Sequence, residues 1–417
     1  MRRIHLTAIV SLLLVPRLAA PQGEPLGPEF RVNTYTPNLQ EASSAASAGN
    51  DFVVVWASWA IGPGSEQEGS VRAQRFDSAG NPLGTEFRVN TSTAGFPDAT
   101  AVGANSAGAF VVLWEKGDAS GATTHVVCQR YDSSGAPVGP EFLVAPSNYY
   151  QIEPLVAVAP SGAFLVVWSW GGFGPPPAPP PIYDVFAQLY DSSGTPQGVF
   201  RVNTSTPYTQ QIAGSAAADP AGNFVVVWGG QYSGSIGWDV MGRRYAASGA
   251  PLGSQFRVNT YTTGNQIHPA VATAPSGDFV VAWGGVDVGI RGQRFASSGD
   301  PLGPEFQVNT STTGTQSYPS IAVAFDGGGN FVITWADDAP SPQGDVFGQR
   351  YSSVGVPSGP EFRVNTTTAG GQRNPSVAST PGGTFLVTWD SAYPVGDIFG
   401  QRFGGVFPVE LQEFRLE

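Results

Sequence analysis

The sequence predicts an all-β fold, a seven-bladed β-propeller of four-stranded antiparallel blades. Two observations predict it. A strand-like segment that ends in tryptophan occurs seven times, and each copy belongs to a repeat with four strand signals. Repeats of this length are typical of propellers and related arrays. The seven tryptophans lie 52 to 60 residues apart and are Trp56, Trp114, Trp168, Trp228, Trp283, Trp335 and Trp389.

Each repeat contains four short strands bounded by Gly, Pro, Ser or Asn. The first is a run of small residues, as in 269–272, and the second is Phe-Val-Val-Val-Trp, as in 52–56. The third is Asp-Val-Phe-Gly-Gln-Arg-Tyr, as in 345–351, and the fourth is Glu-Phe-Arg-Val-Asn-Thr, as in 361–366. No strand shows a helical period. Because the second strand is apolar on both sides, we expect each blade to stack on two neighbours. A β-solenoid or a row of small sandwiches is the alternative.

The repeats divide the chain into a signal peptide and one domain. A basic start at Arg2 and Arg3, an apolar run over residues 6–15 and a cut after Ala19 or Ala20 are typical of a signal peptide, residues 1–20. A buried N-terminal helix is the alternative. The propeller is expected to span 21–417, as units of about 35–91, 92–146, 147–204, 205–260, 261–310, 311–366 and 367–417. The protein is therefore expected to be secreted or on the cell surface.

The charge of the chain argues against several classes of partner, and its cysteine content excludes an intramolecular disulfide. The net charge is −12 and Lys116 is the single lysine. This composition argues against nucleic acid and against anionic membrane surfaces. No second apolar stretch is long enough to cross a bilayer, so no membrane insertion is expected after signal removal. The single cysteine, Cys128, cannot form an intramolecular disulfide and is expected to be a buried, inert thiol.

The repeat units resemble those of large secreted bacterial proteins in which Val-Asn-Thr, Phe-Val-Val-x-Trp and Gln-Arg-Tyr recur. The resemblance covers about residues 25–417. It implies an extracellular propeller and no particular activity. The units differ from the WD40 pattern, since its Gly-His and Trp-Asp pairs are missing. They also lack the Ser-x-Asp-x-Gly-x-Thr-Trp box of sialidase-like propellers.

Loop lengths predict which face of the propeller carries function. The turn between the first and second strands and the turn between the third and fourth strands are nearly constant in length. The other two connections vary, and in a meander they lie on the same face. Binding residues concentrate on loops that a rigid scaffold holds. We call this the variable face and expect the functional site there.

Aromatic residues single out the variable loops of the third and fourth units. Exposed aromatic rings there suit stacking on sugars or anchoring a protein partner. Packing beneath their own loops is the alternative. The predicted ligand-binding residues are Tyr149, Tyr150, Trp170, Phe173, Tyr183, Tyr208, Tyr232 and Trp238.

No catalytic, metal-binding or cofactor-binding constellation stands out in the sequence. The three histidines have no metal-ligand spacing, so carboxylates are the only candidates for catalysis. Recurrent aspartates before the third strand are expected to be structural caps: Asp184, Asp239, Asp345 and Asp397. The non-repeated acids on the variable face are Glu66, Glu68, Glu115, Asp118, Glu153, Asp287, Asp337, Asp338 and Asp390.

Three functions remain open from the sequence. The main hypothesis is a non-catalytic extracellular module that binds a glycan or a protein through the aromatic loops. The first alternative is a carbohydrate-active hydrolase or lyase, which a group of acids with raised pKa values at the channel mouth would favour. The second alternative is self-association through a spare terminal strand. Fourth-strand copies occur at both ends, residues 29–34 and 413–417, so eight copies serve seven blades.

Overall fold

The chain forms a seven-bladed β-propeller, as the sequence predicts. The computed structural model describes residues 24–59, 69–92, 97–117, 123–145, 150–171, 183–204, 208–232, 237–285, 289–310, 321–337, 344–392 and 396–404. These residues form seven four-stranded antiparallel sheets. No helix long and apolar enough to cross a membrane occurs among them. The predicted signal peptide and the fourth-strand copy at 413–417 lie outside the described residues.

The strands follow the repeat units. In chain order, those of the first half are β1 (Phe30–Arg31), β2 (Leu39–Ala48), β3 (Asp51–Trp59), β4 (Ser70–Phe76), β5 (Phe87–Arg88), β6 (Pro97–Ala104), β7 (Phe110–Gly117), β8 (Thr124–Tyr131), β9 (Phe142–Leu143), β10 (Tyr150–Val158), β11 (Phe164–Gly171), β12 (Tyr183–Tyr190), β13 (Pro196–Arg201) and β14 (Tyr208–Ala218). Those of the second half are β15 (Phe224–Tyr232), β16 (Trp238–Tyr245), β17 (Phe256–Arg257), β18 (Gln266–Thr273), β19 (Phe279–Gly285), β20 (Gly289–Phe295), β21 (Phe306–Gln307), β22 (Ile321–Phe325), β23 (Phe331–Asp337), β24 (Asp345–Tyr351), β25 (Phe362–Arg363), β26 (Gln372–Ser379), β27 (Phe385–Ser391) and β28 (Asp397–Phe403).

The first strand of each blade lines the centre of the ring. Blade 1 is the meander β2-β3-β4-β5, and the other blades repeat this order. Each first strand contacts the first strands of both neighbouring blades, and the series closes where β26 meets β2. We call these first strands the inner strands. Their starts, which follow the variable connections, form the mouth of the central channel on the variable face.

The apolar second strands are buried on both faces. All seven repeat tryptophans have no more than 1% of their surface exposed. Between blades 1 and 2, Val53 and Val55 of β3 pack in one cluster with Val112 and Trp114 of β7. Burying such a side chain stabilises the fold by roughly 1.5–3 kcal/mol. The interior of the protein is therefore a ring of interfaces between blades.

Hydrogen bonds between neighbouring outer strands surround this core. The Glu86 carboxylate accepts from the Thr34 amide at 2.6 Å and from the Thr34 hydroxyl at 2.7 Å. The equivalent pairs are Glu29–Thr366, Glu141–Thr91, Gln255–Thr204, Glu305–Thr260 and Glu361–Thr310. The repeated Gln-Arg arginines also reach neighbouring blades, as when Arg130 donates to the Ser192 carbonyl at 2.8 Å. They therefore have structural partners.

The N-terminal copy of the fourth strand closes the ring. β1 pairs antiparallel with β28, with Phe30 opposite Gly400. The Asn33 side chain accepts from the Ile398 amide at 2.8 Å and donates to the Asp397 carboxylate at 2.7 Å. Both bonds are buried. Of the two terminal copies, residues 29–34 thus occupy the edge of blade 7 and are not a spare strand.

The closure predicts that Asn33→Ala lowers the free energy of unfolding by about 2 kcal/mol, because the substitution leaves the buried Ile398 amide and Asp397 carboxylate without their partner. Arg31→Ala on the same strand is the control. Arg31 is exposed and lies 3.7 Å from Asp397, so its loss is expected to cost less than about 1 kcal/mol. Urea unfolding measures both. Equal effects of the two substitutions would contradict closure by this strand.

Candidate functional site

The inner strands are irregular at the mouth of the channel. The register of β10 against β11 shifts between Ile152 and Leu155, and β2 shifts at the equivalent place. Residues at this bulge adopt positive φ angles of 42 to 55° although they are not glycines: Ala42, Ala99, Glu153, His268 and Asn374. Such a backbone costs roughly 1–3 kcal/mol per residue. Interactions with the neighbouring blades must therefore stabilise it.

Side chains from the preceding blade hold several of these bulges. The Glu115 carboxylate accepts from the Glu153 amide at 2.5 Å. The Asp390 carboxylate accepts from the Ala42 amide at 2.9 Å. Ser169 does the same for the Ala213 amide at 2.9 Å. Glu115, Asp390 and Ser169 each directly follow a repeat tryptophan. In these three blades, the residue after the repeat tryptophan thus connects the second strand to the inner strand of the next blade.

Glu115 and Glu153 form a pair with raised pKa values at the interface of blades 2 and 3. Glu115 is 8% exposed. Its burial raises its pKa to about 7; the Glu153 amide opposes that rise, while the charges of Asp98 and Glu153 add to it. Glu153 is accessible to solvent, yet surrounding protein desolvates its carboxylate and raises its pKa to about 7. Accessibility combined with desolvation is what a concave channel mouth produces.

Three further carboxylates, those of Glu41, Asp98 and Asp390, interact with this pair or with one another. We call these five acids the acidic arc. Burial raises the pKa of Glu41, and the charges of Asp390 and Asp98 raise it further. Burial also raises the pKa of Asp390, against hydrogen bonds from Asn374 and the backbone of β2. The arc therefore runs through blades 7, 1, 2 and 3. Arg373, which is exposed, lies opposite Asp390 in the β26–β27 register.

Two of the predicted aromatic residues lie beside this arc. Gly171 is paired with Tyr150 on one side and with Tyr183 on the other, so the two tyrosines flank a glycine on one face of blade 3. Desolvation raises the pKa of Tyr183, and the charges of Tyr150 and Glu153 add to the rise. Tyr150, Tyr183 and Glu153 are thus within electrostatic range of one another.

The other predicted aromatic residues are placed differently. The Trp170 ring is half-buried and packs edge-on against Phe186 of its own blade, with centroids 4.4 Å apart. The half-buried Trp238 ring lies over Gly229, whose added Cβ would be 3.3 Å from it. The register of β14 and β15 sets Tyr208 opposite Tyr232. Tyr149 and Phe173 lie outside the described residues.

Only part of the acidic arc is among the acids predicted from the sequence. Glu115, Glu153 and Asp390 are among them, whereas Glu41 and Asp98 are not. These two acids occupy the inner-strand position that is isoleucine in blades 3 to 5, at Ile152, Ile212 and Ile267. A comparison of the repeats at that position could have found them. The remaining acids named from the sequence, Glu66, Glu68, Asp118, Asp287 and Asp338, lie outside the described residues.

The recurrent aspartates have structural partners. The Asp239 and Asp345 carboxylates accept from the fourth-strand asparagines Asn259 and Asn365 at 2.7 and 2.6 Å. Asp337 is buried and lies opposite Asp345 in the β23–β24 register. Cys128 is fully buried, and burial raises the pKa of its thiol. Within the described ranges, no three His, Cys, Asp or Glu side chains are arranged to hold a metal ion.

Comparison with known proteins identifies the fold only. No protein-family model matches the sequence, and no curated protein matches it. A structure of a protein of unknown function from Dyadobacter fermentans is similar, with a TM-score of 0.54 and 11% identity over 92% of this chain and 99% of that one. The phage phi92 endosialidase has a TM-score of 0.51 and 8% identity over 95% and 71%. An α-L-arabinofuranosidase from Fusarium graminearum has a TM-score of 0.50 and 10% identity over 91% and 98%.

The raised pKa values predict how stability depends on pH. The folded state binds more protons than the unfolded chain between about pH 4.5 and pH 7, because the pKa of Glu115 rises from 4.5 to about 7. The free energy of unfolding should therefore fall as the pH rises through this range. Glu115→Gln should remove its share of the fall, at most about 3 kcal/mol. Urea unfolding from pH 5 to pH 8 measures this, and an unchanged slope in the variant would contradict the assignment.

Proposed function

We propose that the protein is a carbohydrate-active hydrolase whose site lies at the channel mouth between blades 2 and 3. The observation that carries the proposal is the pair Glu115–Glu153, in which the Glu115 carboxylate holds the backbone amide of an exposed glutamate and desolvation raises the pKa of Glu153 to about 7. Glycoside hydrolysis needs such a proton donor together with a second carboxylate. The ligand is an extracellular glycan, and the protein acts outside the cell after export.

Glu153 is assigned as the general acid. Glu153 is an exposed residue of the inner strand, and its carboxyl group donates its proton to the leaving oxygen as the glycosidic bond breaks. Asp98, which is exposed on the inner strand of the adjacent blade, supplies the second carboxylate. Its negative charge stabilises the positive charge that develops on the sugar, and it takes a proton from the water molecule that bonds to the anomeric carbon. Glu115 positions Glu153, since it holds the Glu153 backbone amide at 2.5 Å.

The neighbouring structures give limited support to the proposal. Two of them are named as glycan-cleaving enzymes, an endosialidase and an α-L-arabinofuranosidase. Identities of 8 and 10% indicate a shared fold, but they do not transfer the role of any residue to this chain. The acids and aromatic rings of this chain are therefore what favours a glycan as the substrate.

A second candidate function is glycan binding without catalysis. Tyr150 and Tyr183 flank Gly171, so no side chain separates the two rings. Tyrosine rings on one face can stack on the apolar faces of sugars. The same surface could also anchor a protein ligand.

Glu153→Gln is expected to lower kcat about 10²-fold or more, because it removes the proton donor and keeps the side-chain shape. Cleavage of a panel of neutral and acidic oligosaccharides, followed by mass spectrometry, measures this effect. The control is Glu141→Gln in the outer ring of hydrogen bonds, where Gln255 already makes the equivalent bond in blade 4. Full activity of Glu153→Gln would rule out the assigned role.

Tyr150→Ala combined with Tyr183→Ala is expected to weaken glycan affinity about tenfold, through the loss of two stacking rings. Isothermal titration calorimetry on the Glu153→Gln background measures binding without turnover. If wild-type protein binds a glycan that it does not cleave, and the double variant loses that binding, the binding module replaces the hydrolase. Unchanged affinity in the double variant would exclude the tyrosines from the site.

A further inference from the structure

A glutamine near the start of the inner strand serves the same purpose in four blades. In blades 1, 4, 5 and 7 the repeat tryptophan donates its indole N–H to this glutamine of its own blade, at 2.6 to 3.0 Å. The pairs are Trp56–Gln40, Trp228–Gln211, Trp283–Gln266 and Trp389–Gln372. Each bond satisfies a buried N–H group, which is the usual requirement of a packed interior.

Gln151 of blade 3 occupies the same position but forms hydrogen bonds with different partners. Its Oε1 accepts from the Val126 amide at 3.0 Å, and its Nε2 donates to the Ala145 carbonyl at 2.5 Å. Both partners belong to blade 2. Trp168, the tryptophan of blade 3, is fully buried, and its Nε1 has no hydrogen-bond partner among the described residues. Gln151 therefore connects two blades, and it does not accept the hydrogen bond from the indole N–H of Trp168 in its own blade.

The reason lies in a substitution in blade 2. In other blades the amide equivalent to that of Val126 donates to the asparagine of Val-Asn-Thr, as Val71 does to Asn90 and Val240 does to Asn259, both at 2.8 Å. Blade 2 has Ala145 in place of this asparagine. Gln151 supplies the acceptor that Ala145 lacks. An asparagine at position 145 would have left Gln151 free to bind Trp168.

This change in the hydrogen-bond partners of Gln151 affects the segment of β10 that carries Glu153. The Thr124 hydroxyl donates to the Gln151 carbonyl at 3.1 Å, and the Glu153 amide donates to Glu115 at 2.5 Å. Together with the Gln151 side chain, these bonds tie two residues of β10, Gln151 and Glu153, to blade 2. The sequence also excludes the outer Glu–Thr bond at the interface of blades 2 and 3, because Val199 stands at the glutamate position and Pro146 at the threonine position.

We propose that Gln151 is a positioning residue, which anchors the inner strand of blade 3 to blade 2 so that Glu153 stands beside Glu115 at the channel mouth. The proposal rests on the hydrolase function and names the interaction that holds its general acid in place. A purely structural glutamine would satisfy Trp168, as its equivalents satisfy their own tryptophans.

Ala145→Asn is the test. The new amide should accept from Val126 and release Gln151 to Trp168, so the Tm should stay equal or rise and the Trp168 indole N–H should exchange more slowly. Because Glu153 loses its anchor, kcat should fall about tenfold or more, with the basic limb of the pH profile moved to lower pH. Gln151→Leu should change kcat and the pH profile in the same direction with a lower Tm.

Gln266→Leu in blade 5 is the matched control. It breaks the bond to Trp283 and should lower the Tm by about 2–4 °C without moving the pH profile. If Ala145→Asn protects the Trp168 indole and leaves kcat and the pH profile unchanged, Gln151 is structural and the proposal is overturned.

The positioning proposal can also be tested without turnover. Titration of ¹³C-labelled glutamate carboxyl groups should show midpoints near pH 7 in the wild type that move towards ordinary glutamate values in Ala145→Asn. Absence of that movement overturns the proposal. If the wild type cleaves no glycan but the midpoints move as expected, the hydrolase function fails and the positioning of Glu153 by Gln151 stands.

Discussion

Burial of the second strand on both of its faces is the constraint on which the rest of the structure depends. A single four-stranded sheet cannot bury either of its faces by itself, so the Phe-Val-Val-Val-Trp strand requires a neighbour on each side. Seven such strands satisfy one another only if the chain returns to its start, where β1 completes blade 7 beside β28. The outer carboxylate–threonine bonds and the arginine–carbonyl bonds repeat around this ring. They align the blades, while the apolar interfaces supply most of the stabilisation.

The features on which the proposed function depends lie where the repeat is broken. Blade 2 replaces the fourth-strand asparagine with Ala145, and Gln151 crosses from blade 3 to compensate. At this same interface an accessible glutamate occupies a strained bulge and contacts a second, buried glutamate. Strain and desolvation of this kind are tolerated when surrounding contacts hold them, and they are frequent at functional sites. The regular blades thus provide a rigid frame, and the proposed active site lies at one irregular interface.

The sequence predicts the fold better than it predicts the site. The seven tryptophans and the near-constant turns determine blade number and strand order, because periodic burial leaves a periodic pattern. The choice between the two terminal copies needed the pairing of Asn33 with Ile398 and Asp397, which joins residues from opposite ends of the chain. Trp170 packs on Phe186, and no local pattern distinguishes such a ring from an exposed one. The pairing of Glu115 with Glu153 depends on the stacking of adjacent blades, so the separation of these residues in the sequence does not reveal it.

A crystal structure of the Glu153→Gln variant soaked with oligosaccharides tests most directly whether the glycan site lies between blades 2 and 3. We expect a sugar at the channel mouth between blades 2 and 3, with the residue 153 side chain within hydrogen-bond distance of a glycosidic oxygen and the Tyr150 or Tyr183 ring against a sugar face. A sugar bound on the opposite face, or between other blades with the Glu115 and residue 153 side chains untouched, would contradict it.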